Sequence, residues 1–173
     1  QAPDKVDIFK ESIDAASNAD EVLLIVGTNS DWETEGNDRA DFNLPANQNK
    51  LIEAVLDANQ NTIVILNTGS PIHMPWAHKA SAIVQTWFAG QEFGNALVDI
   101  LFGEVNPSGK LATTFPAKIE DTPAYQFYPG IDLQMNYHEK LLVGHRWYEK
   151  KLFKPLFCFG HGLSYANFKY QNL

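Results

Sequence analysis

The first hundred residues alternate between two hydrophobic patterns. Ile8, Phe9, Ile13 and Ala16 recur at near-helical spacing, with Asp and Lys between them, and predict a lead-in helix within residues 1–20. Glu21 to Gly27 is a continuous apolar run ended by glycine, the pattern of a strand buried on both faces. The stretch from Thr28 to Asn43 is rich in Asp, Glu and Asn and too long for a mere turn. Leu44-Pro45 is expected to open the next helix, since proline suits a first turn. Leu51, Ile52, Val55 and Leu56 form its apolar stripe, and Asn59-Gln-Asn61 ends it. Thr62 to Asn67 reads as a second buried strand, closed by Gly69-Ser-Pro71. A short helix over Met74 to Lys79 and a third strand over Ala82 to Phe88 follow. After a glycine-bounded loop, Ala89 to Gly94, comes a helix with Ala96, Leu97, Ile100 and Leu101 that stops at Gly103.

Apolar strands that alternate with helices imply parallel βαβ units, and right-handed crossovers put helices on both sides of the sheet. The expected fold is therefore α/β: a largely parallel sheet flanked by helices on both faces, a three-layer sandwich, built as a single domain over residues 1–173. Ligands of such sheets sit outside the carboxyl ends of the strands. The loops there are 28–43, 67–73 and 89–94, all polar or glycine-rich. Beyond residue 104 the pattern loosens. Asn106-Pro-Ser-Gly109 reads as a turn, and residues 116–140, with Pro116, Pro123, Pro129 and Gly130, as a long surface excursion. Leu141 to Tyr148 suits either a strand or a helix start, Ala166 to Tyr170 is expected to be extended, and the aromatic residues of 147–168 are expected in the core.

Composition narrows the partners. Lys plus Arg is 13 and Asp plus Glu is 21, a formal net charge of −8. A surface of that sign repels phosphate backbones and anionic lipid heads, so neither nucleic acid nor membrane is an expected partner. The longest purely apolar run, Val22 to Val26, is far shorter than the roughly 20 residues a membrane span needs. The single cysteine, Cys158, precludes an internal disulfide and reads as a small core residue within Leu-Phe-Cys-Phe. The chain begins Gln-Ala-Pro without a signal-peptide pattern, which reads as a piece of something longer.

Chemistry concentrates in Ser30-Asp-Trp-Glu-Thr-Glu-Gly-Asn-Asp-Arg39, where Asp31, Glu33, Glu35 and Asp38 stand together. Glycoside hydrolysis needs one carboxylic acid to protonate the leaving oxygen and a partner carboxylate nearby. A glutamate beside Gly36, on a loop past a strand end, suits the proton donor, because glycine lets backbone and substrate approach closely. Trp32 could stack on a sugar face. The competing reading is a solvated acidic loop with a capping role. Asp31 and Glu35 lack the alternating ligand spacing of a calcium loop. The histidines, His73, His78, His138, His145 and His161, make no paired zinc spacing, so no metal is expected. A Gly-x-Ser-x-Gly elbow is lacking, and so are Gly-x-Gly-x-x-Gly and Gly-Lys-Ser/Thr, so a serine nucleophile and a nucleotide are not expected either, and no cofactor is implied.

Taken together, these segments resemble family 3 glycoside hydrolases. Glu33-Thr-Glu-Gly-Asn-Asp-Arg39 followed by Leu44-Pro45 looks like the family's Glu-Gly-x-Asp-Arg … Leu-Pro signature. Gly69-Ser-Pro-Ile72, Met74-Pro-Trp76, Trp87-Phe-Ala-Gly-Gln-Glu92, Leu101 to Leu111, Val143 to Tyr148 and Pro155 to Tyr165 continue in the family's order. Each segment is weak alone, but the ordered series covers residues 21–170, nearly the whole chain. His145, Cys158 and His161 depart from the residues more usual at those positions.

The resemblance is to the second, α/β-sandwich domain of β-glucosidase-like members, in which the active site lies between that sandwich and a (β/α)8 barrel. It implies retaining double displacement with a nucleophilic Asp on the barrel and the acid/base glutamate on a sandwich loop. By motif position that glutamate is Glu35, with Glu33 as its rival, and Gly36, Asp38 and Arg39 as supporting residues. Ser30-Asp-Trp32 mimics the segment that carries the barrel nucleophile, but it follows a sandwich strand, so Asp31 is not expected to be one. No barrel is present in this sequence. The expected partners are thus a β-linked glucoside or oligosaccharide and a barrel domain or chain; the compartment stays open, with the resemblance favouring a secreted or periplasmic setting. The chain alone is expected to be inactive or nearly so. A proton donor near neutral pH calls for a raised carboxyl pKa, which cover by the barrel would provide. The alternative is a non-catalytic carbohydrate-binding or interaction domain that has lost its barrel. A flavodoxin-like nucleotide module has no motif behind it.

Overall fold

The structure is a computed structural model that describes residues 8–171 apart from 131 and 133. It divides into two compact units, 1–89 and 90–173. The first holds, in order, α1 (Ile8–Ser17), β1 (Val22–Gly27), α2 (Gln48–Ala58), β2 (Thr62–Asn67) and β3 (Ala82–Gln85). The strands form one parallel sheet in the order β1-β2-β3. The expected class therefore holds: a parallel sheet with flanking helices and no barrel closure. Of the predicted lead-in helix, Ile8–Ser17 is helical and residues 1–7 lie outside the described residues.

β2 is the centre of this unit. Val64, Ile65 and Leu66 are at most 1% exposed, because β2 has a strand on either side and α2 packed over it. Ile52, Val55 and Leu56 of α2 are buried as the stripe predicts. Burying side chains of this size stabilises by about 1.5–3 kcal/mol each. Asn59, at the end of α2, donates from Nδ2 to the carbonyls of Ala16 (3.0 Å) and Ala19 (2.8 Å), which ties the end of α1 and the turn after it to α2. Gln48, the first residue of α2, binds both the N–H and the C=O of Gly27 at 2.9 Å and so fixes the carboxyl end of β1.

Several predicted elements are corrected. β1 is not buried on both faces: Leu23 and Ile25 are 51% and 55% exposed, because β1 is the edge strand and its outer side chains have no covering layer among the described residues. α2 opens at Gln48 rather than Leu44, since Ala46 takes a left-handed φ of 53°, which no helix start accommodates. Buried Leu44 anchors that approach instead. Met74 to Lys79 forms consecutive turns (Ala77 N–H to Met74 O, 3.1 Å; Lys79 N–H to Trp76 O, 2.9 Å) rather than a helix, around a fully buried Trp76 whose Nε1 donates to Asn49 Oδ1 at 2.9 Å. β3 ends at Gln85 instead of Phe88, because Trp87 leaves extended backbone at φ 56°.

The second unit contains α3 (Phe93–Leu101), one turn of 3-10 helix (Ile119–Asp121) and α4 (His145–Lys151). α3 forms where predicted and ends before Gly103, but of its expected stripe only Leu97 is buried, with Ile100 and Leu101 half-buried and Ala96 exposed. Of the two readings of Leu141 to Tyr148, the helix start is observed. Segments around Leu111–Phe115 and Leu156–His161 are joined by backbone bonds, and Phe115 and Phe157 meet edge-to-face at 6.4 Å. Asn106 is not in a hydrogen-bonded turn but accepts from Ser164 Oγ and the Tyr165 N–H, and Tyr165 Oη donates to the Ile100 carbonyl. Residues 166–170 form no strand. The aromatic run of 147–168 is mostly not core: Tyr148 is buried, whereas Phe159, Tyr165 and Phe168 are exposed. Cys158, expected in the core, is exposed too, because Phe157 turns its ring toward Phe115 and the next residue points the other way.

Candidate active site

The loop after β1 folds back on itself at once. The N–H groups of Trp32 and Glu33 donate to the Asn29 carbonyl at 3.0 and 2.8 Å, and exposed Asp31 lies inside this turn. The chain then makes a small hairpin closed by an antiparallel bridge between Thr34 and Asn37. Glu35 and Gly36 are its two tip residues. Gly36 has φ +80°, the left-handed backbone that the third position of a tight turn requires and that a side chain disfavours. The Glu-Gly pair is therefore set by backbone geometry: glycine makes the turn, and the residue before it is carried outward. Glu35 is exposed.

Glu33 has a different environment. Its Oε1 accepts from Thr28 Oγ and, at 3.0 Å, from the Gly69 N–H, while Oε2 accepts from Ser70 Oγ at 2.8 Å. Partial burial pushes its carboxyl upward, but the bonds from Thr28, Ser70 and Gly69 and the positive charge of Arg39 outweigh that and hold it below the usual glutamate value. Thr28 follows β1, and Gly69 and Ser70 follow β2, so one carboxylate joins the carboxyl ends of two neighbouring strands. Gly69 has no room for a side chain: a Cβ there would lie 2.7 Å from Phe88 Cε2 and 2.8 Å from Glu33 Oε2.

The loop 28–43 meets the loop 67–73 at further points, among them a hydrogen bond between Asn43 Oδ1 and His73 Nδ1 at 3.1 Å. Arg39 Nη2 donates to the Pro71 carbonyl at 3.3 Å, and the His73 N–H donates to the Phe42 carbonyl at 2.7 Å. β3 supports the arrangement from the other side, with Gln85 Nε2 donating to the Thr68 carbonyl at 3.0 Å. The outcome is an open hollow of about 400 Å³ lined by Trp32, Glu33, Thr34, Glu35, Asn37, Asp38 and Arg39. Trp32 Nε1 and Arg39 Nη1 are buried without a hydrogen-bond partner among the described residues. Of the residues singled out from the acidic run, Trp32, Glu33, Glu35, Asp38 and Arg39 thus border one hollow at the carboxyl end of the sheet, whereas Asp31 and Gly36 do not line it. Among the described residues no group of His, Cys, Asp and Glu is arranged to hold a metal, and no helix is long and apolar enough to cross a membrane.

Thr28, Gly69, Ser70 and Phe88 were not recognisable as site residues in the sequence. Thr28 opens a polar stretch and Gly69-Ser70 reads as a turn, and only the parallel pairing of β1 with β2 brings them to Glu33.

Residues 4–165 match the glycosyl hydrolase family 3 C-terminal domain. The chain is 46% identical over 167 residues to thermostable beta-glucosidase B of Acetivibrio thermocellus, covering 96% of this chain and 22% of that protein. It is 45% identical to a probable beta-glucosidase I of Aspergillus clavatus, covering 96% and 20%. Its structure superposes on that of a Kluyveromyces marxianus beta-glucosidase solved in complex with glucose, with a TM-score of 0.89 and 42% identity, covering 92% of this chain and 19% of that one. A match over nearly the whole chain, with the same fold, defines an α/β domain of a glycoside-cleaving family. The chain belongs to glycosyl hydrolase family 3, as its C-terminal domain. It spans about a fifth of the length of these relatives.

Proposed function

We propose that this chain supplies the acid/base half of a retaining β-glucosidase-type active site, with Glu35 as the general acid/base. The other half is a (β/α)8 barrel, on the same polypeptide or a partner chain, that carries the nucleophilic Asp. In the first step Glu35 donates its proton to the glycosidic oxygen as the barrel Asp attacks the anomeric carbon. The leaving alcohol departs and a glycosyl ester remains on the barrel. In the second step Glu35 takes a proton from the attacking water, and the sugar leaves with its configuration retained.

The observation that carries this reading is the contrast between the two glutamates. Glu35 stands exposed at a hairpin tip over the hollow, free to meet a substrate. Glu33 already accepts from three donors, which favours its ionised form. That favours Glu35 over Glu33 as proton donor, and the beta-glucosidase names of the relatives favour a β-linked glucoside as substrate. Trp32 flanks the same hollow and is the candidate for stacking on a sugar face.

The test is Glu35→Ala in the complete enzyme with azide added. Removing a glycosidase acid/base is expected to cost about 100-fold or more with an aryl glucoside, as general acid–base catalysis contributes on that order. Azide needs no general base, so it should restore turnover of an activated glucoside and yield the β-glucosyl azide. Full activity of Glu35→Ala, or a loss that azide does not relieve, would overturn the assignment.

A further inference from the structure

The hairpin that carries Glu35 is closed by a single bridge, Thr34 to Asn37. Two-stranded ladders are marginal in water by themselves, and one this short needs an outside anchor. Both of its legs have one. On the incoming leg Glu33 is fastened to Gly69 and Ser70, and on the outgoing leg Arg39 is fastened to the Pro71 carbonyl. The two anchors therefore land on three consecutive residues of the loop after β2. Glu33 also takes the hydroxyl of Thr28, directly after β1. Its carboxylate is an acceptor with no proton to give, charge-assisted at every bond. From the other side, Phe88 and Glu33 leave no space for a Cβ at Gly69, so the seat of the carboxylate is shaped as well as hydrogen-bonded.

We infer that Glu33 is a positioning residue: clamped by Thr28, Gly69 and Ser70, it sets the placement of the Glu35 turn against the ends of β1 and β2. This rests on Glu35 being the proton donor. A proton must pass between Glu35 and a glycosidic oxygen at hydrogen-bond distance, and a displacement of about 1 Å costs up to about 100-fold. Two residues upstream, a rigid ionic anchor supplies that precision, which a solvated loop does not.

The test separates proton delivery from folding by the choice of leaving group. A dinitrophenyl glucoside leaves as a stabilised phenolate and needs no proton, whereas a phenyl or methyl glucoside does. In the complete enzyme, Glu33→Gln is expected to lower kcat/KM by about 10–100-fold for the phenyl glucoside and hardly at all for the dinitrophenyl one. Ser70→Ala and Thr28→Val each remove one donor and should move the ratio the same way by less. Gly69→Ala displaces the carboxylate without altering it and should reproduce the skew. Glu35→Gln runs beside them as the reference. Equal losses on both glucosides in the Glu33, Ser70 and Gly69 variants would overturn the positioning role, as would no loss. If Glu35→Gln shows the skew and these variants do not, positioning fails and Glu35 stands. If Glu33→Gln shows it and Glu35→Gln does not, Glu33 is the proton donor and both assignments fall. Should Glu33→Gln fail to fold, the Ser70→Ala and Gly69→Ala ratios decide alone.

Discussion

At the scale of single residues, two glutamates two positions apart are given opposite surroundings. Thr34 separates them in sequence, and the hairpin sends one toward solvent and the other into hydroxyl and amide donors. The difference has a pH signature. The native pKa of Glu33 lies below its unfolded value of about 4.3, so the unfolded chain takes up its proton first. The stability Glu33 contributes is therefore fully present above about pH 4.3 and is lost as the pH falls through the native pKa. Denaturant unfolding of the wild type and Glu33→Gln at pH 7 and again near pH 3 checks this: the gap between the two proteins should be large at pH 7 and shrink in acid. A gap that stays constant or widens in acid contradicts the ionised clamp.

The linear motif made half of this visible in advance. Glu35-Gly36 could be marked as a site because the turn chemistry lies within four residues, and the glycine announces it. The partners of Glu33 could not, because Gly69 and Ser70 stand 36 and 37 residues further on. Nothing in a run of Asp and Glu says which carboxylate faces a neighbouring strand end. That information resides in the β1–β2 register, where Gly27 pairs with Asn67 and so brings Thr28 beside the loop that contains Gly69.

At the scale of elements, periodicity located the strands and helices but not their cover. β1 is no less apolar than β2, yet Ile65 is 0% exposed and Ile25 is 55% exposed. An apolar run reports that a strand lies in a sheet; the sheet order decides whether it is central or at an edge. The same limit applies to Cys158 and Phe159, whose aromatic neighbours suggested a core that the chain does not build there. Local backbone also overrode pattern at Ala46 and Trp87, whose left-handed conformations shorten α2 and β3. The contrast is measurable by thermal unfolding of this chain by itself. Ile65→Ala is expected to cost about 2–5 kcal/mol, as for a fully buried aliphatic residue, and Ile25→Ala less than about 1 kcal/mol. Equal costs would mean that the outer face of β1 is covered.

At the scale of the whole molecule, the chain is the C-terminal domain of a family 3 glycosyl hydrolase and spans about a fifth of its relatives' length. It carries many exposed apolar side chains, among them Phe102, Leu141, Leu152, Leu163 and Phe168, each at least 79% exposed. Apolar exposure of this kind suits a domain that functions against another body, and a hydrophobic dye should bind the isolated chain more strongly than the chain joined to the proposed barrel. The acid/base assignment and the division of labour meet in one experiment: hydrolysis of an aryl β-glucoside by the chain alone and by the chain with its barrel, each with Glu35→Gln alongside. A half-site predicts no turnover above the Glu35→Gln control for the chain alone. With the barrel present it predicts turnover that Glu35→Gln removes. Glu35-dependent hydrolysis by the chain alone would contradict it, because a nucleophile would then lie within these residues, with Asp31 the first to test.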